Sequence, residues 1–534
     1  MNTRTRTDVL LLVAFCGFLF FYGLGAFGLL GADEPRYAQV AREMLDRHDW
    51  ITPTLQGKPW MEKPVLYYWQ AMVGYSVFGV SDRAARLPGA LDAALMIAAI
   101  YFFLRRFRPG LETDGSLIAA SCAGIIGFAR GASTDMPLAA MFAIALLGWY
   151  SWYESKKRPG LIVFYSFLAL ATLAKGPVAI FFAGAILLIF LAIKRDWGAI
   201  RESLWIPGIA SFLAVAMPWY VAVQLRNPDF FRIFILEHNL GRFGQDIYHH
   251  RQPFWFYLPV LLLALMPWTL WLILAVAQRV RVVVTSERRE SIATPDGSWQ
   301  LFLLIWLLVP VLFFSASQSK LPGYILPSIP AGTLLVAEYL HSRERDGAKS
   351  FPWLLGLHAV LCGVLVFAAL ALPGIQLTHR LVTGTVIYVA ALLAVLVMIG
   401  IAATLFRAGL SILRPATMLP IVIGVAALLK LAAPAIDATQ SARPVAQSIQ
   451  SFSQEAVPVA LFHTNRQLEY GLEFYLNRPV QRYEIGQVPR DGHVLVILRN
   501  STDEYGDLLR GRKVSFLTSI PAQKLDLYWV GPAS

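Results

Sequence analysis

Two kinds of side chain in this sequence could do chemistry, and both sit beside apolar runs. The carboxylates are Asp33, Glu34, Glu62 and Asp135; the cations are Lys63, Arg83, Arg86, Arg130, Lys175, Arg242 and Lys320, with the pair His249 and His250 among them. Lys and Arg bind phosphate oxygens and stabilise a phosphate leaving group as its charge develops. A carboxylate near an anomeric carbon positions or deprotonates an acceptor, or supports an oxocarbenium-like sugar. An amphiphilic substrate with a phosphate-linked sugar would use all of these together. The pattern points to glycosyl transfer from a polyprenyl-phosphate sugar.

Each group also has a plainer reading. Asp33 and Glu34 either cap a following helix or face a reacting centre. Arg83 and Arg86 read as anchors that snorkel to lipid phosphates. Arg130 and Asp135 either pair across a turn or share a cavity. Lys175, between Ala174 and Gly176, lies in a tight turn that gains nothing from an ammonium group, and Lys320 in Ser-Gln-Ser-Lys-Leu-Pro-Gly-Tyr is similar. The two histidines are either a solvated loop feature or metal ligands. What favours the functional reading is their common location, at the outer ends of apolar spans.

The elements that must hold these groups are set by composition. Of 534 residues, 57% are hydrophobic and only 15% charged, which a water-soluble exterior could not accommodate and a disordered chain would not show. Runs long enough to span a bilayer, about 20 residues each, lie near 9–30, 86–104, 115–130, 136–153, 161–174, 177–193, 203–224, 255–276, 300–316, 323–340, 351–372, 383–406 and 415–433. The first lacks a small-residue cleavage site and reads as a retained helix. The fold expected is a polytopic α-helical membrane protein with about thirteen transmembrane helices.

With the N-terminus inside, the seven cytoplasmic stretches carry twenty Lys/Arg, whereas the short outer turns hold only Arg130, Lys175, Lys320 and Arg380. That satisfies the positive-inside rule. It places the C-terminus outside.

Two outer loops, about 31–85 and 225–254, are too long for turns. The first holds an interfacial helix starting near Asp33, with Tyr37, Ala41, Met44 and Leu45 on its apolar face and Arg36, Gln39, Glu43 and Asp46 opposite, followed by an aromatic stretch from Tyr67 to Phe78. Asp92, two turns into the second span, would lie beneath the cavity. Residues 1–433 thus form the membrane domain. Residues 434–534, with short β-rich runs at 457–462, 494–498, 514–517 and 525–530 and helical ones at 468–476 and 504–509, form a small α/β domain. The net charge of +12 resides in the membrane part, because the tail from Pro434 balances ten Lys/Arg against ten Asp/Glu. Nucleic acid is therefore not the expected partner. Cys16, Cys122 and Cys362 all fall in apolar runs and build neither a disulfide framework nor a zinc cluster. A lipid transporter or flippase, the rival from another class, commonly shows internal repeats and midplane charges. Neither is visible here.

Six segments, GADEPRYAQVAREML, GKPWMEKPVLYYW, ARGASTDMPLA, ATLAKGPVA, EHNLGRFGQDIYHHRQPFWFYLP and SQSKLPGYILPSIPA, resemble in order the bacterial aminoarabinose transferase family. That family lies within the membrane glycosyltransferases that include the protein O-mannosyltransferases. The resemblance implies a GT-C type fold and transfer of 4-amino-4-deoxy-L-arabinose from undecaprenyl phosphate to lipid A at the periplasmic face of the inner membrane, a modification that confers polymyxin resistance. Related enzymes act on protein hydroxyls or another glycan. By matching motif, Asp33 is the carboxylate at the reacting centre and Asp135 a second acidic residue. Lys63 holds the donor phosphate, and Arg242, Lys175 and Lys320 add phosphate contacts. Glu34, Arg36, Tyr37 and Arg130 complete the cavity. Glu62 with His249 or His250 is a candidate site for zinc or a similar divalent metal, with His238 left open. The expected protein is a monomer, N-terminus cytoplasmic and C-terminus periplasmic. The chain departs from many relatives in reading Lys63-Pro64-Val65-Leu66 where they read Lys-Pro-Pro-Leu, and beyond Pro434 it carries no family motif.

Overall fold

In the computed structural model, the structure describes residues 3–234, 252–284, 294–347, 352–377, 384–452, 457–499, 509 and 511–532. Among these, six helices are long and apolar enough to cross a membrane: Asp82–Phe107, Asp135–Ser155, Ile206–Arg226, Pro295–Ala316, Pro352–Ala371 and the composite Ile387–Gln440. A bent pair, Phe254–Ala264 and Thr269–Val282, makes a seventh if it counts as one span, and Pro159–Lys175 and Val178–Lys194 are shorter apolar helices. The protein is a multi-pass membrane protein.

Several expected spans are broken. The run 115–130 is two helices, Glu112–Ala120 and Ala123–Ala129. The run 255–276 turns through 118°. The first helix, Thr3–Cys16, continues as a π-helical turn to Phe21, and the chain to Asp33 is largely irregular. An aromatic stack ties two spans together: Tyr150 lies 4.7 Å from Trp299 and 4.9 Å from Phe302, ring centre to ring centre.

The interfacial helix is Asp33–Asp46, and it buries Tyr37, Ala41 and Met44 as its spacing predicts. Gln39, placed on the polar face by the sequence, is instead buried and donates to Glu43 at 3.3 Å. A two-stranded hairpin (β1, Thr54–Leu55; β2, Lys58–Pro59) and the aromatic helix Leu66–Phe78 follow.

At the C-terminal end, β3 (Val459–Phe462) lies between β4 (Gln481–Arg482) and β5 (His493–Leu498), parallel to both. β7 (Leu525–Val530) then pairs antiparallel with β5 and with β6 (Val514–Ile520), giving the order β4-β3-β5-β7-β6. Helix Arg466–Leu476 connects β3 to β4. Of the expected helical run 504–509, residues 504–508 lie outside the described residues.

This α/β unit is bolted to the membrane part. Tyr475 donates to Asp82 at 2.6 Å and accepts from the Leu29 amide at 2.7 Å. Arg443 bridges Asp82 at 3.0 Å and Asp437 at 2.7 Å, and Arg42 donates to the Phe474 carbonyl at 2.9 Å. Gly28 permits the approach, since a Cβ there would overlap the hydroxyls of Ser441 and Tyr475.

Candidate active site

A cavity of about 520 Å³ opens where five segments of the membrane region meet the C-terminal unit. The interfacial helix supplies Asp33, Arg36 and Tyr37; the segment after the hairpin supplies Trp60, Glu62 and Lys63. Thr134 and Asp135 come from the start of helix Asp135–Ser155, and Lys175 from the last residue of helix Pro159–Lys175. Ser319, Leu321, Gly323 and Tyr324 form one wall, and Arg466 and Tyr470 of the C-terminal helix form another.

Local sequence explains these placements. Asp135 begins its helix, where a negative charge suits the dipole, and Lys175 ends its own, where a positive charge does. The lysine is fixed there because Gly176 takes φ +93° and Pro177 starts the next element. The two ends meet: Lys175 donates to Asp135, and its ammonium lies 4.8 Å from the centre of the Tyr324 ring. Gly323 leaves room for the pair, since a Cβ there would sit 2.8 Å from the Asp135 carboxyl carbon.

Arg36 is the second centre. Its guanidinium reaches Asp33 at 2.5 Å and Glu62 at 3.9 Å, and lies 5.1–5.6 Å from the ring centres of Tyr37, Trp60 and Tyr470. Burial opposes its charge, but Tyr37, Glu62 and Asp33 outweigh that and raise its pKa above the ordinary arginine value. Burial likewise raises the Tyr470 phenol. The Asp33 side chain is 55% exposed, against 12% for Glu62 and 20% for Asp135. Of the three carboxylates it is the one most open to a substrate.

The residues singled out from sequence therefore divide. Asp33, Arg36, Tyr37, Glu62, Lys63, Asp135 and Lys175 come together in one chamber. Glu34 and Arg130 do not line it. Glu34 accepts two bonds from Arg86 (3.2 and 2.7 Å) and one each from the amides of Leu30 (2.7 Å) and Ala132 (2.8 Å). Arg130 donates to the carbonyls of Leu19 and Gly23 at 2.9 and 3.0 Å. Arg130 ties the end of the first helix to the loop carrying Asp135, and Glu34 ties helix Asp33–Asp46 to the same loop and to Arg86. Arg86 is no lipid anchor: it is 1% exposed and also donates to the carbonyls of Leu24, Phe27 and Gly28.

Lys320 is buried, donates to the Ser317 carbonyl, and lines a neighbouring hollow with Gln252, Pro253 and Phe254 rather than the cavity itself. Asp92 is buried in helix Asp82–Phe107 and accepts from Gln70 at 2.8 Å. Arg242, His238, His249 and His250 lie outside the described residues. Among the described residues, no group of three His, Cys, Asp or Glu side chains is placed to hold a metal ion. Glu62 has Arg36 beside it. The described part of the cavity does not by itself compose a metal site.

Arg466 and Tyr470 went unassigned in the sequence. An Asn-Arg pair before an amphipathic helix signals a helix start, which the structure confirms: Asn465 caps the Leu468 amide at 2.9 Å. Nothing in that local pattern says which surface the helix meets.

A family model described as dolichyl-phosphate-mannose-protein mannosyltransferase matches residues 62–221. The chain is similar to ArnT from Cupriavidus metallidurans, solved bound to undecaprenyl phosphate, with a TM-score of 0.80 over 98% of each chain at 22% identity. It also resembles the oligosaccharyltransferase AglB from Archaeoglobus fulgidus, with a TM-score of 0.55 over 94% of this chain and 70% of that one at 10% identity. The fold is thus that of the GT-C-like membrane glycosyltransferases. A Pseudomonas paraeruginosa protein named undecaprenyl phosphate-alpha-4-amino-4-deoxy-L-arabinose arabinosyl transferase is 33% identical over 71% of this chain and 67% of its own length. The chain belongs to that arabinosyl transferase family. Relatives of the same name from Pseudomonas aeruginosa align over 66% of their length, so the match spans about two thirds of these curated relatives.

Proposed function

We propose that this protein transfers 4-amino-4-deoxy-L-arabinose from undecaprenyl phosphate to a lipid A phosphate, with inversion, at the periplasmic face of the inner membrane. The observation that carries this reading is the single chamber in which Asp33, Lys63, Asp135 and Lys175 converge. Thirteen spans, a cytoplasmic N-terminus and a periplasmic C-terminal domain from residue 434 complete the proposed topology, and the protein acts as a monomer.

In the proposed step, the bond from C1 of the sugar to the donor phosphate oxygen breaks, and its electron pair stays on the phosphate. An oxygen of the acceptor phosphate forms the new bond to C1 from the opposite face. Lys63 binds the departing phosphate, whose growing charge it stabilises, and Arg242 adds a contact from the second outer loop. Asp33 orients the sugar and supports positive charge at C1. The acceptor phosphate is already anionic, so no strong general base is needed. The Lys175–Asp135 pair fixes the far wall. Glu62, joined by His249 or His250, would be the divalent-metal set that the family resemblance implies, and Glu62 lies in the described cavity.

Mass spectrometry of lipid A made with and without the protein tests the reading. An aminopentose increment on a phosphate is expected. A hexose increment, or unmodified lipid A with a glycosylated protein, would replace it with the hydroxyl-acceptor reading that the mannosyltransferase family match favours, and Asp33 would then have to take a proton.

A further inference from the structure

The C-terminal unit brings two side chains into the cavity, and they differ in what they already touch. Tyr470 is engaged, its ring centre 5.6 Å from the Arg36 guanidinium carbon. Arg466 is not. It is the first residue of helix Arg466–Leu476, where a positive charge opposes the helix dipole. Among the described residues it makes no ion pair within 4.0 Å, and the nearest acid on its own helix face, Glu469, is bonded to Arg482 at 3.1 Å. Two other cations of the cavity are already matched: Arg36 with Asp33 and Lys175 with Asp135. Arg466 is also exposed and lines the chamber from the C-terminal unit. A guanidinium presents a planar fork of donors that matches phosphate oxygens in pairs.

Resting on the transfer reading above, we infer that Arg466 binds the acceptor's lipid-borne phosphate, with Tyr470 holding that wall against Arg36. The membrane part then supplies the donor half of the site and the C-terminal unit the acceptor half. This gives a chemical role to the part of the chain that carries no family motif.

The test uses the full-length protein in detergent micelles and measures equilibrium binding of two lipids, diphosphoryl lipid A and undecaprenyl phosphate. Arg466→Ala should weaken lipid A binding by about tenfold or more, as expected for loss of a charged hydrogen-bond pair, and leave undecaprenyl phosphate within about twofold. Arg466→Lys should recover part of the loss, and lipid A stripped of its phosphates should bind variant and wild type alike. Because Arg466 is exposed, the melting temperature should not move. Unchanged lipid A binding, or equal weakening of both lipids, would overturn the assignment. Binding is read without turnover, so failure of the wild type to glycosylate lipid A counts against the transfer reading and leaves this measurement standing on its own.

Discussion

Around Asp33 the chain leaves charge open, and one residue further on, around Glu34, it closes charge off. The two carboxylates share one turn of the interfacial helix. Asp33 spends one oxygen on Arg36 and stays more than half exposed. Glu34 accepts four bonds from Arg86, Leu30 and Ala132. A charge whose capacity is filled by its own protein is architecture. A charge with capacity to spare, held beside matched cations in a chamber, is available for a substrate. Yet the two regions are coupled: the Ala132 amide bonded to Glu34 lies three residues before Asp135, so the closed knot sets the spacing of the open site.

The largest effect that could break this contrast is on the closed side. Glu34→Ala leaves Arg86 buried without its carboxylate, and should destabilise the fold by about 3–5 kcal/mol, read as unfolding of the purified protein in detergent; Glu34→Gln should lose less. A Glu34→Ala protein that unfolds like wild type but has lost transfer would move Glu34 into the chemistry. Next, Gly323→Ala forces a methyl against Asp135 and Phe128, an overpacking worth about 1–3 kcal/mol. Turnover should fall as the Asp135–Lys175 pair is displaced, while donor binding persists; unchanged kcat would show that the pair's position is immaterial.

A pH-dependent effect sharpens the contrast outside the cavity. Glu473 is buried in the C-terminal unit and accepts from Gln56 of the β1–β2 hairpin, and burial raises its pKa from 4.5 to about 8. The folded carboxyl keeps its proton through a range in which the unfolded chain releases it. Stability should therefore fall as pH rises from about 4.5 to 8, by at most about 1.4 kcal/mol per pH unit for one proton. Glu473→Gln should flatten that slope, which pH-dependent unfolding would detect; an unaltered slope would place the titration elsewhere.

Much of this was readable in the residues, and the failures share a cause. Hydropathy placed spans such as 136–153, found at Asp135–Ser155, because burying apolar length in a bilayer needs no knowledge of neighbours. It missed the break at Cys122 and the 118° bend, since apolar content does not encode direction. For the site, residue type and outer location were enough to gather Asp33, Lys63, Asp135 and Lys175. They could not separate a cavity cation from a strut, which is why Arg130 and Glu34 were grouped with them. That distinction depends on which carbonyls and amides lie within reach, a tertiary fact. Arg466 was invisible for the converse reason: its helix was expected, its facing surface was not.

The most direct test of the contrast is the steady-state transfer rate of Asp33→Asn, measured beside its melting temperature. Loss of an electrostatic contact to the reacting sugar should cut turnover by about a thousandfold, with melting unchanged and undecaprenyl phosphate still bound. Turnover near that of wild type, or a loss that simply follows unfolding, would contradict the claim that the open carboxylate does the chemistry.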